Sequence, residues 1–253
     1  MLLRAALTSF RRGETLATEP ASATFDVSLK HLAAYNAVCG FGLRDALPLT
    51  YPHVLGFPLQ MKLMTGAGFP FPLPGLVHIA NRITQSRPLA LCEPLEITVS
   101  ARDLRPHPQG TQVDVVTSVS GVWEGISTYL RRTGSGSGSG EEIERPAGSA
   151  VWRVPADIGR RYGAVSGDRN PIHLYPLSAK LFGFKRAIAH GMWTKARCLA
   201  ALEGRLPEAV TVDVRFKKPL LIPGRVEFSA SEVDGGWEFG AWGKGPHLLG
   251  SAT

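Results

Sequence analysis

The chain echoes itself at about half its length. Tyr35-Asn-Ala-Val-Cys-Gly40 returns as Tyr162-Gly-Ala-Val-Ser-Gly167, an offset of 127 residues, and Gly56-Phe57 stands at the same offset from Gly183-Phe184. Pro48-Leu-Thr-Tyr-Pro52 is matched more faintly by Pro171-Ile-His-Leu-Tyr-Pro176. Further on, Arg87-Pro88-Leu89 precedes LEITVSA and Lys218-Pro219-Leu220 precedes RVEFSAS, at an offset of 131. A single long repeat means two like domains in tandem, because a solenoid stacks several shorter units.

The second half of each unit reads as strands. Leu95 to Ala101, Thr111 to Ser120 and Val122 to Leu130 show partial alternation with β-branched enrichment, as do Thr211 to Phe216, Arg225 to Val233 and Trp237 to Trp242. Gln109-Gly110 and Asp234-Gly235-Gly236 supply hairpin turns. Each unit therefore reads helix, irregular segment, central helix, antiparallel strands, which is an α+β plan. The expected division is a first unit over residues 1–133, a linker over 134–150 and a second unit over 151–253. The linker contains Gly134-Ser-Gly-Ser-Gly-Ser-Gly140 and then Glu141, Glu142 and Glu144. Its composition is that of a flexible spacer, natural or engineered.

Composition narrows the class. Hydrophobic residues at 44% and charged residues at 19% suit a globular core, and no apolar run approaches the roughly eighteen residues of a membrane span. The net charge of +7 is compatible with phosphorylated carriers, acidic carrier proteins, nucleic acid and membrane surfaces. Basic residues spread singly, such as Lys185, Arg186, Lys217 and Lys218, read first as a solvated surface and second as a dock for a phosphate-bearing acyl carrier. No dense Lys/Arg run with interleaved aromatics points to nucleic acid. Three cysteines, Cys39, Cys92 and Cys198, match no metal spacing and no disulfide framework, so a reducing, cytoplasmic setting is expected. Arg4, Arg11 and Arg12 precede the first acidic residue, Glu14, a pattern shared by transit peptides and by short amphipathic helices.

Chemistry concentrates between Ala156 and Leu202. Ser166-Gly-Asp-Arg-Asn-Pro-Ile-His173 sets a carboxylate and an imidazole five positions apart with a proline between them. Proline disfavours helix at Asn170, so the spacing predicts a turn at a helix end that aims Asp168 and His173 at one small volume, where a water fits. Ala189-His-Gly-Met192 opens an apolar segment whose first backbone N–H groups are free to meet developing negative charge. Each residue also has a plainer use. Asp168 can cap a turn, His173 can be a satisfied core histidine, and Ser166 can cap the preceding helix. Asn170 reads as a turn residue supporting the site, His190 and Tyr162 as scaffold, and Trp193, Leu199 and Leu202 as core.

Taken together, Y-x3-SGD-x-NPIH followed by GF-x3-IAHGM resembles the signature of the MaoC-like (R)-specific enoyl-thioester hydratases. The resemblance implies a double hotdog, two curved antiparallel sheets each around a central helix. It implies a hydro-lyase in which Asp168 and His173 act on a water while the Gly191 N–H polarises the thioester carbonyl. Asn170 and Ser166 would support that site. No metal or organic cofactor is implied, and the substrate would be carried on coenzyme A or on an acyl carrier protein. The first unit departs from the signature. Phe41 stands opposite Asp168, Thr50 opposite His173, and Gln60 to Met64 opposite Ala189 to Met192. That unit is expected to be catalytically silent, and its apolar run Gly66 to Leu76 either lines an acyl-chain space or is an ordinary buried loop. Two hotdogs in one chain form a pseudo-dimer, and a homodimer of such chains is compatible with it. Thioesterases share the fold, so a thioesterase or a non-catalytic acyl-carrier-binding subunit is the alternative.

Overall fold

The structure, a computed structural model, describes residues 15–133, 148 and 150–253. The Gly/Ser stretch, the acidic residues after it and the first fourteen residues, with the expectations attached to them, lie outside the described residues.

The repeat is visible in the strand order. The first half supplies β1 (Ala21–Phe25), β2 (Leu76–Gln85), β3 (Leu95–His107), β4 (Gly110–Val119) and β5 (Trp123–Arg132). The second supplies β6 (Ala150–Val154), β7 (Val210–Phe216), β8 (Gly224–Val233), β9 (Gly236–Trp242) and β10 (Pro246–Ala252). They form one antiparallel sheet in the order β1-β3-β4-β5-β2-β7-β10-β9-β8-β6. Counted outward from the centre, the two halves run in the same internal sequence. The second and seventh strands join them, from Ala80 opposite Arg215 to Gln85 opposite Val210. At this seam Arg82 Nε donates to Asp213 Oδ2 at 2.8 Å, and the hydroxyls of Thr84 and Thr211 meet at 3.2 Å.

Among the described residues, seven helical segments accompany the sheet: α1 (Leu29–Cys39), α2 (Tyr51–Leu55), α3 (Phe57–Thr65), α4 (Ile158–Ser166), α5 (Pro171–Leu174), α6 (Pro176–Leu181) and α7 (Gly191–Ala201). The echoed motif ends α1 and α4 alike. Gly40 and Gly167 both take the left-handed conformation (φ 86° and 76°) and return their N–H to the carbonyl four residues back. Glycine suits that turn because a side chain there meets steric cost. The two helices pack together, with the Tyr35 and Tyr162 rings 6.3 Å apart.

The second unit's central helix, α7, is buried nearly all round, through Met192, Trp193, Ala196, Cys198 and Leu199. Fully burying an apolar side chain of this kind contributes about 1.5–3 kcal/mol, so this helix anchors its half of the fold. The sequence alignment misplaces its counterpart. In the first unit the helix begins at Phe57 directly after Gly56, so Gln60 to Met64 lie inside α3 instead of at its start. Gly56-Phe57 therefore occupies the helix-opening position that His190-Gly191 holds in the other half. Gly183-Phe184, paired with it by sequence, sits in the turn after α6, ahead of α7.

Lys195 ties the halves together. It is fully buried, and its ammonium reaches Asn81 Oδ1 (2.7 Å), Asn81 O (3.0 Å) and Val212 O (3.1 Å). Asn81 in turn donates to Ser127 Oγ at 3.1 Å. A helix of the second unit is thus held to β2 of the first.

Candidate active site

Local chain chemistry turns Asp168 towards the interior. After the left-handed Gly167, the Asp168 N–H donates to Ser166 Oγ at 3.2 Å, and Asp168 Oδ1 accepts the Asn170 N–H at 3.1 Å. Asn170 Oδ1 then accepts the Ile172 N–H at 3.3 Å and caps α5, with Pro171 at its first position. Ser166 and Asn170 therefore shape the loop that presents the carboxylate. The expected turn ends at Asn170, and His173 sits on a one-turn helix because proline is accepted at a helix start.

His173 Nδ1 lies 2.8 Å from Ile188 O. A carbonyl only accepts, so Nδ1 carries the proton and Nε2 keeps its lone pair. His190, just ahead of α7, stacks on His173 with ring centroids 3.7 Å apart, and its Nε2–H donates to Asp168 O at 3.0 Å. Its Nδ1 is buried without a hydrogen-bond partner. The scaffold residue of the sequence reading is thus part of the cluster. The only signal for it was its place beside Gly191. Donor atoms of Asp168, His173 and His190 lie within 4.8 Å of one another. Such a set can surround a water or a divalent cation.

The electrostatics separate the roles. Burial pushes the Asp168 carboxyl up, but His190, His173 and the Asn170 N–H outweigh it and hold the group below its usual range. Burial lowers His173, with Asp168 and the Ile188 carbonyl pulling the other way. Burial and the neighbouring His173 push His190 down to about 3. At neutral pH a carboxylate therefore faces two neutral imidazoles, and the 3.8 Å approach of His190 Nε2 to Asp168 Oδ2 is no ion pair.

These groups line a cavity of about 420 Å³. Gly191, the first residue of α7, lines it too, and the amides of a helix's first turn have no intrahelical partner. A Cβ on Gly191 would stand 3.0 Å from two carbons of the Phe216 ring, so glycine lets the helix start close under that wall.

The opposite wall comes from the first unit, a feature sequence reasoning missed. His53, Phe57, His78 and Tyr129 all line the cavity. The His53 ring meets Gln60 Nε2 at 3.2 Å, and burial with the nearby Lys195 charge pushes it down to about 4. His78 packs between Tyr129 and Phe216 (4.7 and 4.9 Å), and burial lowers it to about 3. Read alone, a histidine between apolar neighbours, as in PHVL or LVHI, looks like a satisfied core residue. Phe41 and Thr50, opposite Asp168 and His173 in the alignment, have scaffold contacts instead: Phe41 stacks on Tyr35, and Thr50 bonds the Tyr35 hydroxyl at 2.7 Å.

Comparison with known proteins identifies the family. Residues 139–239 match the MaoC like domain. The chain is 46% identical over 220 residues to 3-hydroxyacyl-thioester dehydratase X of Mycobacterium tuberculosis, covering 82% of this chain and 78% of that one. The crystal structure of HtdX from the same organism superposes with a TM-score of 0.82 at 40% identity, covering 92% of this chain and 99% of that one. A MaoC-like dehydratase from Phytophthora capsici shares the fold at a TM-score of 0.75 and 18% identity, over 95% of this chain and 96% of that one. On these matches and on the hotdog architecture, the chain belongs to the MaoC-like dehydratase family.

Proposed function

We propose that this protein adds water reversibly across the C2–C3 double bond of trans-2-enoyl thioesters, giving (3R)-hydroxyacyl thioesters in fatty acid metabolism. Dehydration is the same reaction run backwards, and the 3R hand follows the family resemblance. One observation carries the reading. Asp168 and the unprotonated Nε2 of His173 share a small volume in a cavity that also holds the start of α7.

In hydration, the water oxygen bonds to C3 as its proton passes to the dyad. The π electrons move towards C1, making an enolate-like oxygen, and a proton then returns to C2. The carboxylate orients the water and His173 shares the proton transfer, the two titrating as a coupled pair. The Gly191 N–H, with the positive end of α7 behind it, stabilises the developing charge on the thioester oxygen. Ser166 and Asn170 hold Asp168 in place, and His190 positions both members of the dyad. The reaction centre belongs to residues 151–253, while the described part of the first unit, residues 15–133, contributes the facing wall and no second dyad, giving one site per chain. The chain works in the cytoplasm as an internal pseudo-dimer.

The test follows the conjugated enoyl-thioester absorbance of crotonyl-CoA and a longer trans-2-enoyl-CoA. Wild type should consume both, forming the 3R alcohol without free thiol. Asp168→Asn and His173→Ala should each lose about 10²–10⁴-fold in rate, the usual range for a general acid–base group. Release of free thiol would instead make the protein a thioesterase.

A further inference from the structure

The mouth of the cavity carries a surface the reaction itself does not need. Helix α6 and the turn after it expose Leu177 (75%), Leu181 (82%) and Phe182 (47%). Leu177 and Leu181 are four residues apart and so share one helix face. Phe182 and Phe184 line the cavity, as do the exposed Lys217 and Lys218. The apolar patch is therefore continuous with the route into the site.

The charged residues that flank it along the chain are of one sign. Arg169, Lys180, Lys185, Arg186, Lys217 and Lys218 are all exposed. No Asp or Glu occurs between Arg169 and Leu202, between Val214 and Val226, or from Gly243 to Thr253. Among the described residues, Asp168 is the only acidic one lining the cavity. Basic residues alone would suit the phosphates of a nucleotide carrier. Three large apolar side chains left in water beside them suit a macromolecular partner that buries them, and a basic rim around an apolar centre selects an acidic one.

Resting on the thioester-hydratase reading, we propose that the α6 face docks an acidic acyl carrier protein, whose phosphopantetheine arm delivers the acyl thioester past Phe182 and Phe184. Lys180, Lys185 and Arg186 steer the encounter, and Leu177 and Leu181 fill the contact. A carrier protein held there needs only the length of its flexible arm to reach Asp168 and His173. The pairing is electrostatic in its approach, so it weakens with salt, and Leu177 and Leu181 add an apolar contact outside the cavity that a coenzyme A thioester does not need.

The experiment compares crotonyl-CoA with the crotonyl thioester of a purified bacterial acyl carrier protein. Wild type is run beside Leu181→Ser and the double variant Lys180→Glu/Lys185→Glu, positions outside the cavity lining. The expected result is a KM for the carrier-protein substrate raised tenfold or more in both variants and by salt in wild type, with kcat/KM for crotonyl-CoA unchanged within twofold in Leu181→Ser and lowered less than the carrier-protein value in the double variant. Titration of unacylated carrier protein against the full chain, read by fluorescence anisotropy, should show binding to wild type and a matching tenfold loss in the variants. This binding does not depend on catalysis, so it separates failure of the docking proposal from failure of the hydratase reading. Absence of carrier binding to wild type, or variants that alter both substrates equally, would overturn it. So would a patch whose substitution abolishes only binding to phosphatidylglycerol vesicles, or only self-association on gel filtration.

Discussion

Replacing Lys195 should separate two costs that the native structure combines. The ammonium is fully buried on three oxygens, from Asn81 Oδ1, Asn81 O and Val212 O, at 2.7, 3.0 and 3.1 Å. Lys195→Met keeps a long unbranched chain and removes the charge. Asn81 Oδ1 then loses its partner, at a cost of about 1–3 kcal/mol. The carbonyls belong to strands paired across the seam, and their loss is smaller. Against this, an ion no longer has to leave water, a penalty of several kcal/mol. Lys195→Met should therefore be neutral or stabilising. Lys195→Ala leaves the same orphan oxygen and adds a cavity, so it should fall about 2–5 kcal/mol below the methionine variant, near the measured range for comparable truncations. At about 2–4 °C per kcal/mol for a chain of this size, the two variants should melt about 4–20 °C apart. The pH dependence gives a second reading. Burial holds Lys195 well below its usual 10.5. Between the folded and unfolded pKa values the unfolded chain binds a proton that the folded chain does not. Wild-type stability should therefore rise with pH through that window, and the slope should vanish in Lys195→Met. Urea unfolding at a series of pH values measures both. A methionine variant as unstable as the alanine one, with the slope retained, would refute the reasoning and make the buried ammonium a net source of stability.

Two further outcomes follow from the site. The proton transfer proposed for His173 needs the neutral imidazole, and burial lowers that group from 6.5, so kcat/KM should stay flat towards acid and fall only below pH 6.5; an acid limb above 6.5 in the pH profile would contradict the assignment. Gly191→Ala puts a methyl 3.0 Å from the Phe216 ring, which already packs on His78, so the wall must shift by a few tenths of an ångström. Stability should change by less than about 1 kcal/mol while kcat falls about tenfold or more, since small displacements at a reacting centre are costly, and steady-state kinetics beside a thermal melt would detect the split.

How much of this was legible depended on whether a residue's partner was local. Tyr-x3-Ser/Cys-Gly could be read because a helix ending in a left-handed glycine is written within six residues. Asp168, Asn170 and His173 could be read because each hydrogen bond that aims the carboxylate spans two positions. Strands with β-branched alternation were found, whereas β2 was not, for a physical reason. Its buried face carries Asn81 and Gln85, polar side chains whose partners are Lys195 Nζ and Glu208 O, 114 and 123 residues away. Without those partners in view, the strand's alternation looks reversed. The tenth strand, PHLLGSA, carries Pro and Gly and few β-branched residues, so its propensity signal is weak.

The same distinction explains the first unit. Judged against the signature, Phe41 and Thr50 make it a degenerate copy, and nothing local says more. In three dimensions the seam between β2 and β7 turns that copy towards the second unit's dyad, where His53, His78 and Tyr129 become the far wall of the cavity. With the proposed dyad in the other unit, this half need not meet its geometric demands, yet it faces the same cavity. Its side chains can change the shape and polarity of the acyl space without touching the Asp168–His173 geometry, which is fixed within its own loop and short helix. Substitutions at Phe57, His78 or Tyr129 should therefore alter preference among acyl chains more than the turnover of the shortest one. Substitutions at Ser166 or Asn170 should lower turnover of all chains alike. Kinetics across a series of chain lengths would show the division, and uniform losses from the first-unit positions would disprove it.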